Sequence, residues 1–158
     1  EVRSIYTELP ARALFKSFST IGGERGWLAW EWAWEIRGAM DKVVGGPGLR
    51  RSRRDPIELL PGEALDFWRV EVIDPPHLLR LRAEMKVPGH AWLQWETVPE
   101  GSGTRLVQTA LFAPTGLWGV LYWYSLYPVH KVIFSDLINA IARDALYMDD
   151  RHPSFGAT

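Results

Sequence analysis

Residues 64–98 read ALDFWRVEVIDPPHLLRLRAEMKVPGHAWLQWETV, three apolar-rich runs separated by two turn signals. Asp74-Pro75-Pro76 and Pro88-Gly89 punctuate them, so strands are expected at 64–73, 78–87 and 91–98. Pairing Glu71 with Arg80 across the first turn puts Asp66, Trp68, Val70 and Val72 on one side with Leu79 and Leu81. Closing the second turn as a hairpin adds Met85 beside Trp92 to that side and sets Ala83 level with Gln94. The other side collects Arg69, Glu71, Arg80, Arg82, Glu84 and Lys86. Such a separation of apolar from charged positions predicts an antiparallel sheet with one face on a core and one in water. A register slip of one residue exchanges the faces and turns Arg82 and Glu84 inward.

Working outward, a strand is expected at 104–113 after the Glu100-Gly101-Ser102-Gly103 turn, followed by a helix over 116–146. Its inner stripe is Gly119, Trp123, Leu126, His130, Ile133, Leu137 and Ile141, and Pro128 is expected to kink it. On the N-terminal side, the pattern predicts a strand at 2–8 and a helix over 10–22 that Gly22-Gly23 stops. A second helix over 30–44 carries Trp32, Ala33, Ile36, Met40, Val43 and Val44 on one face, with Arg37 and Asp41 on its flank. An arginine-rich edge strand is expected at 49–54. The order strand, two helices, antiparallel strands and one long C-terminal helix describes an α+β helix-grip fold. There a curved sheet wraps the last helix and leaves a cavity between them.

The 158 residues suit one domain that buries roughly 70% of the extended chain's surface. A net charge of −1 gives no field to draw nucleic acid, and the absence of cysteine excludes disulfides and thiolate chemistry while fitting a cytoplasmic setting. From Leu106 to Val129 there is no charged residue, yet Pro114, Gly116 and Gly119 interrupt the run. A buried strand leading into a helix explains it better than a membrane span. Nine tryptophans are more indole than a core this size needs, and large rings with buried N–H groups suggest a ligand cavity.

Several separated motifs resemble a family of START-like domains of uncharacterised function, often found C-terminal to an NAD(P)-binding epimerase-type Rossmann domain. They are Ile21-Gly22-Gly23 with Gly26-Trp27, Arg37-Gly38-Ala39 with Asp41, and Gly45-Gly46 with Gly48-Leu49-Arg50-Arg51. LDFWRV at 65–70, LRAEMKVPG at 81–89 with Ala91-Trp92-Leu93, and GLWGVLYWYSLYP at 116–128 with His130 complete the set. The resemblance implies the fold of the START, birch-pollen-allergen and polyketide-cyclase group (the SRPBCC superfamily), in which a hydrophobic cavity takes lipids, sterols or polyketides. It implies a Rossmann partner and no known reaction. Ser52 departs from the glycine expected in the arginine run, and with no GxGxxG this chain is not expected to bind NAD(P) itself.

The inferred register makes Trp34, Trp68, Met85, Trp92 and Trp123 the apolar walls, with Asp66, Gln94, Tyr124 and His130 as polar points. Asp66 is the first candidate for acid–base chemistry, because desolvation raises a carboxyl pKa; the plainer reading is a group at the strand's start, hydrated or paired with Lys86 or an arginine. His130 is either a satisfied core histidine or an acid, base or ligand anchor, and Glu84 becomes a candidate if the register slips. His90 reads as a turn residue. Arg37 and Asp41 form at least a helical ion pair and could clamp an acidic ligand. Arg50, Arg51, Arg53 and Arg54 suit a bound anion or, more simply, a solvated edge. No HExxH, P-loop or GxSxG motif supports a metal or a triad, and no cofactor is expected. The functions left standing are binding of a small, largely hydrophobic molecule as the substrate-holding domain of an oxidoreductase; a polyketide cyclase or aromatase-like reaction; and a dimerisation or docking module displaying Trp118, Tyr122 and Tyr127.

Overall fold

The computed structural model describes residues 1–48 and 53–151. Its elements are β1 (Val2–Thr7), α1 (Ala11–Ser19), a 3-10 turn at Gly23–Arg25, α2 (Glu31–Val43), β2 (Ala64–Leu65), β3 (Trp68–Asp74), β4 (Leu78–Ala83), β5 (Gly89–Glu100), β6 (Gly103–Pro114) and α3 (Gly116–Arg151). The strands form one antiparallel sheet in the order β1-β6-β5-β4-β3-β2. The helix-grip order read from the sequence is the observed one. The edge strand expected at 49–54 falls largely outside the described residues, and Arg53 and Arg54 are not in a strand.

Three features depart from the sequence-based register. The strand expected at 64–73 is broken, because Asp66 and Phe67 form a two-residue turn that pairs Leu65 with Trp68 and Ala64 with Arg69. Asp66 takes φ 55°, a left-handed conformation that Asp tolerates better than most residues. Secondly, β3 and β4 start in the expected register, with Val70 opposite Leu81, but a bulge follows. Val72 then pairs with Arg80, so Ile73 takes the inward place expected for Val72. Thirdly, β4 stops at Ala83, and Glu84 to Pro88 form a connection instead of extending a hairpin. Arg82 therefore faces Trp92 and Arg80 faces Gln94.

That last change reverses β5. Leu93 and Trp95 are fully buried, whereas Trp92 shares the outer face with Arg82 and Leu111. Trp95 thus joins the core, stacked on Phe18 of α1 at 6.0 Å. The inward amide is Gln108, not Gln94. Gln108 accepts from Trp95 Nε1 at 2.9 Å and donates to the Phe134 carbonyl at 2.9 Å, tying sheet to helix.

In α3 the burial is uneven. Ile133, Phe134, Leu137, Ile138, Ile141 and Ala145 are buried, and Ser17 of α1 donates to the Ile141 carbonyl and to Asp144. Toward the N-terminus only Gly119 is buried. A Cβ there would lie 2.3 Å from the Pro88 carbonyl oxygen, so the helix touches the β4–β5 connection where it has no side chain. The helix continues through Pro128.

Helix α2 is rotated relative to its apolar pattern. Trp34, Gly38 and Asp41 are buried, while Trp32, Ile36, Met40 and Val43 are exposed. Two anchors explain the rotation. Trp34 packs on Trp27 at 5.0 Å and Phe67 at 5.7 Å, in an aromatic cluster that also holds Trp68. Asp41 accepts from the backbone N–H of Gly48 at 2.9 Å and of Lys86 at 2.7 Å. The Arg37–Asp41 ion pair does not form, because the Asp41 carboxylate is committed to backbone donors.

Candidate functional site

Where the N-terminal half of α3 stands off the sheet, it covers a partly enclosed cavity of about 70 Å³. This holds the centres of roughly five waters, so a guest that fits without rearrangement is small. Trp34 and Arg37 reach it from α2, Trp68 from β3, Met85 from the connection after β4, and Tyr122, Trp123 and His130 from α3. Phe112 of β6 forms part of the floor and stacks on Trp123 at 5.2 Å, with the rings within 7° of parallel. Trp123 in turn lies 6.0 Å from the His130 ring, which is 5.4 Å from Phe134.

Local structure places each group. The Asp41 anchor fixes the rotation of α2, and Arg37 and Trp34, one and two turns earlier, fall on the same face toward the cavity. The same anchor holds the Lys86 backbone, which presents Met85. Gly46 must pass close to that carboxylate: a Cβ would lie 2.2 Å from Asp41 Oδ2.

The polar atoms on the walls are few. Arg37 donates to the Tyr122 hydroxyl at 3.1 Å, and Trp34 Nε1 donates to the Ala29 carbonyl at 3.0 Å. Trp68 Nε1 and His130 Nδ1 are buried with no hydrogen-bond partner among the described residues. Burial lowers the His130 pKa from its ordinary value, and the neighbouring Arg37 charge lowers it further against a weaker opposing effect of Glu1. The neutral imidazole is therefore the form at pH 7. Among the described residues, none that lines the cavity is acidic. Among the described residues no group of three or more His, Cys, Asp or Glu side chains could hold a metal ion.

The structure thus brings together Trp34, Trp68, Met85, Trp123 and His130, and leaves four proposed positions elsewhere. Asp66 is buried beneath the Gly22-Gly23 loop, accepting from Trp27 Nε1 at 2.8 Å and from the Gly23 N–H at 3.2 Å. The two-residue turn that carries it points it away from the cavity. Glu84 pairs with Arg69 at 2.6 Å. Gln94 accepts from Arg80 on the outer face at 2.6 Å. Tyr124 is 70% exposed, and its neighbour Tyr122 takes the wall position. Trp92 borders the cavity through its strand, but its indole lies on the outer face and donates to Glu71 at 3.4 Å. Sequence reasoning missed Phe112 as a wall residue. The parity of β5 and β6 would have shown Phe112 had the β4–β5 register been known.

Alongside the cavity, α2 and α3 flank an apolar groove of about 230 Å³ that Trp32, Ile36, Met40 and Val129 line. Trp34, Arg37 and His130 border both spaces. Among the described residues, no helix is long and apolar enough to cross a membrane.

This geometry has relatives. DynU16, a protein in the dynemicin biosynthetic locus, is similar with TM-score 0.54 at 15% identity; the match covers 90% of this chain but only 45% of DynU16. CV1439 from Chromobacterium violaceum is similar with TM-score 0.54 at 11% identity over 90% of this chain and 94% of its own. Truncated norcoclaurine synthase from Thalictrum flavum is similar with TM-score 0.52 at 10% identity over 90% of each chain. Identities this low speak for a shared START-like fold alone. No curated protein matches the chain. Its sequence does match a family over residues 1–137, spanning β1 through the cavity-forming part of α3, and the chain belongs to that family, described as Protein of unknown function (DUF2867).

Proposed function

We propose that the protein binds a small, largely apolar molecule in the cavity between the sheet and the N-terminal half of α3. The observation that carries this reading is an aromatic-walled space lined by Trp68 and His130, whose Nε1 and Nδ1 are buried without hydrogen-bond partners among the described residues. Buried donors and acceptors are nearly always satisfied, and leaving one unpaired costs about 1–3 kcal/mol. A guest that pairs with them recovers that energy along with the hydrophobic gain of filling the space. The acid–base reading loses Asp66 and Glu84 to structural partners and keeps only His130. Service as the substrate-holding domain of an oxidoreductase rests on the family resemblance alone.

Ala110 provides the test, since it lies on the cavity wall on the inner face of β6, opposite Leu93. Native mass spectrometry of the purified protein is expected to reveal a retained small molecule, or titration with single-ring aromatic compounds to quench tryptophan fluorescence. Ala110→Leu, which fills the space, is expected to abolish either signal while keeping the melting temperature at or above its original value. Unchanged binding in that variant would place the ligand elsewhere.

A further inference from the structure

Resting on that binding reading, we infer that the ligand is an acid: a single-ring aromatic carboxylate whose ring lies among the cavity's aromatic walls and whose carboxylate meets Arg37. The polar inventory of the walls points to it. Arg37 is the one lining residue that carries a full charge at neutral pH among those described, and its only hydrogen bond there goes to the neutral Tyr122 hydroxyl. A guanidinium offers five N–H donors in a fork that matches a carboxylate, so most of its capacity is unspent. No carboxylate of the described residues forms an ion pair with it, whereas Arg25 pairs with Asp144, Arg69 with Glu84 and Arg105 with Glu100.

The remaining polar groups agree. Trp68 Nε1 can only donate, and the residue is 4% exposed with that atom unpartnered. The Tyr122 hydroxyl, already accepting from Arg37, has its own proton to give. A wall supplying a cation and two further donors, with no acidic residue, complements oxygen acceptors carrying negative charge. The lowered pKa of His130 keeps a second positive charge out of the site and leaves its ring as an apolar and weakly polar surface. Size limits the body of the ligand to a single flat ring, because the space of about 70 Å³ is roughly half that of an apolar cavity that holds benzene and must widen to take it. The α2–α3 groove borders the same arginine from the other side.

Three probes of one shape test the idea: phenylacetate, its uncharged amide 2-phenylacetamide, and ethylbenzene, which has no hydrogen-bonding group. Binding is followed by tryptophan fluorescence excited at the red edge and by the indole N–H resonances in proton–nitrogen spectra. Phenylacetate is expected to bind about tenfold or more tightly than the amide, in line with a charge-assisted hydrogen bond against a neutral one. One indole N–H resonance, lost in Trp68→Phe, is expected to move as phenylacetate is added. Arg37→Met, which keeps the apolar stem, is expected to erase the preference for the acid while leaving ethylbenzene affinity within about twofold, and that retained affinity shows the cavity intact. Arg37→Lys is expected to restore part of the preference. Equal binding of acid and amide, or a preference unaffected by Arg37→Met, would overturn the acid assignment and leave the binding function standing. Failure of all three probes to bind would overturn both.

Discussion

Asp66 is buried as its pattern predicts, yet its carboxylate is placed under a loop and away from the cavity. Its burial followed from its place beside Leu65 and Trp68, but the left-handed backbone at Asp66 turns the chain back on itself within two residues. The carboxylate ends beneath Gly22, whose φ of 80° suits glycine and whose Cβ, if present, would lie 2.8 Å from Leu65. Asp66 is thereby a loop anchor, and Asp41 performs the same task for the Gly46–Gly48 loop. Asp66→Ala strips the Trp27 indole and the Gly23 N–H of their acceptor, so a loss of about 2–4 kcal/mol in chemical denaturation is expected. Phenylacetate affinity measured below the unfolding transition should stay within about twofold. A large loss of affinity at unchanged stability would return Asp66 to the site.

At the scale of elements, punctuation in the sequence marked the strands and helices except for the break at Asp66-Phe67, and Gly119, Ile133, Leu137 and Ile141 of the α3 stripe are buried as its spacing requires. What it could not carry was parity. The bulge between Val70 and Val72 and the end of β4 at Ala83 depend on long-range fit, and each moves side chains between faces without changing the apolar pattern. The Trp92 indole and Gln94 moved to the outer face in this way, and the inward places of Trp95 and Gln108 emerge only in the fold. Helix α2 failed for a different reason: Asp41 and Trp34 bind more tightly than the apolar stripe does, so tertiary anchors overrode amphipathic patterning. The uneven burial of α3 has a dynamic consequence. Pro128 lacks an N–H and leaves one ladder bond unmade, and the preceding turns rest on half-buried side chains. In native-state hydrogen exchange, amides of residues 120–129 are expected to exchange about an order of magnitude faster than those of 133–145. Uniform protection along the helix would contradict that division.

The whole molecule places its apolar surplus outside. Trp118 is 78% exposed and Trp32 58%, with Leu117, Leu121 and Tyr124 near the first and Ile36 and Met40 near the second. Replacing either indole with Ser is expected to change unfolding free energy by no more than about 0.5 kcal/mol, since neither fills the core. A drop of several kcal/mol would mean that these rings are covered in solution. Inside, α3 behaves as a beam on two supports. One is Gly119 against the Pro88 carbonyl, the other the run from Ile133 where Gln108 holds Phe134, and the unsupported length between them is about 21 Å. A beam seated at both ends keeps a constant clearance, and the rings of Trp123 and Phe112, stacked within 7° of parallel, close the space at one end. Admission to the space beneath is then gauged by a guest's thickness before its length or its total volume.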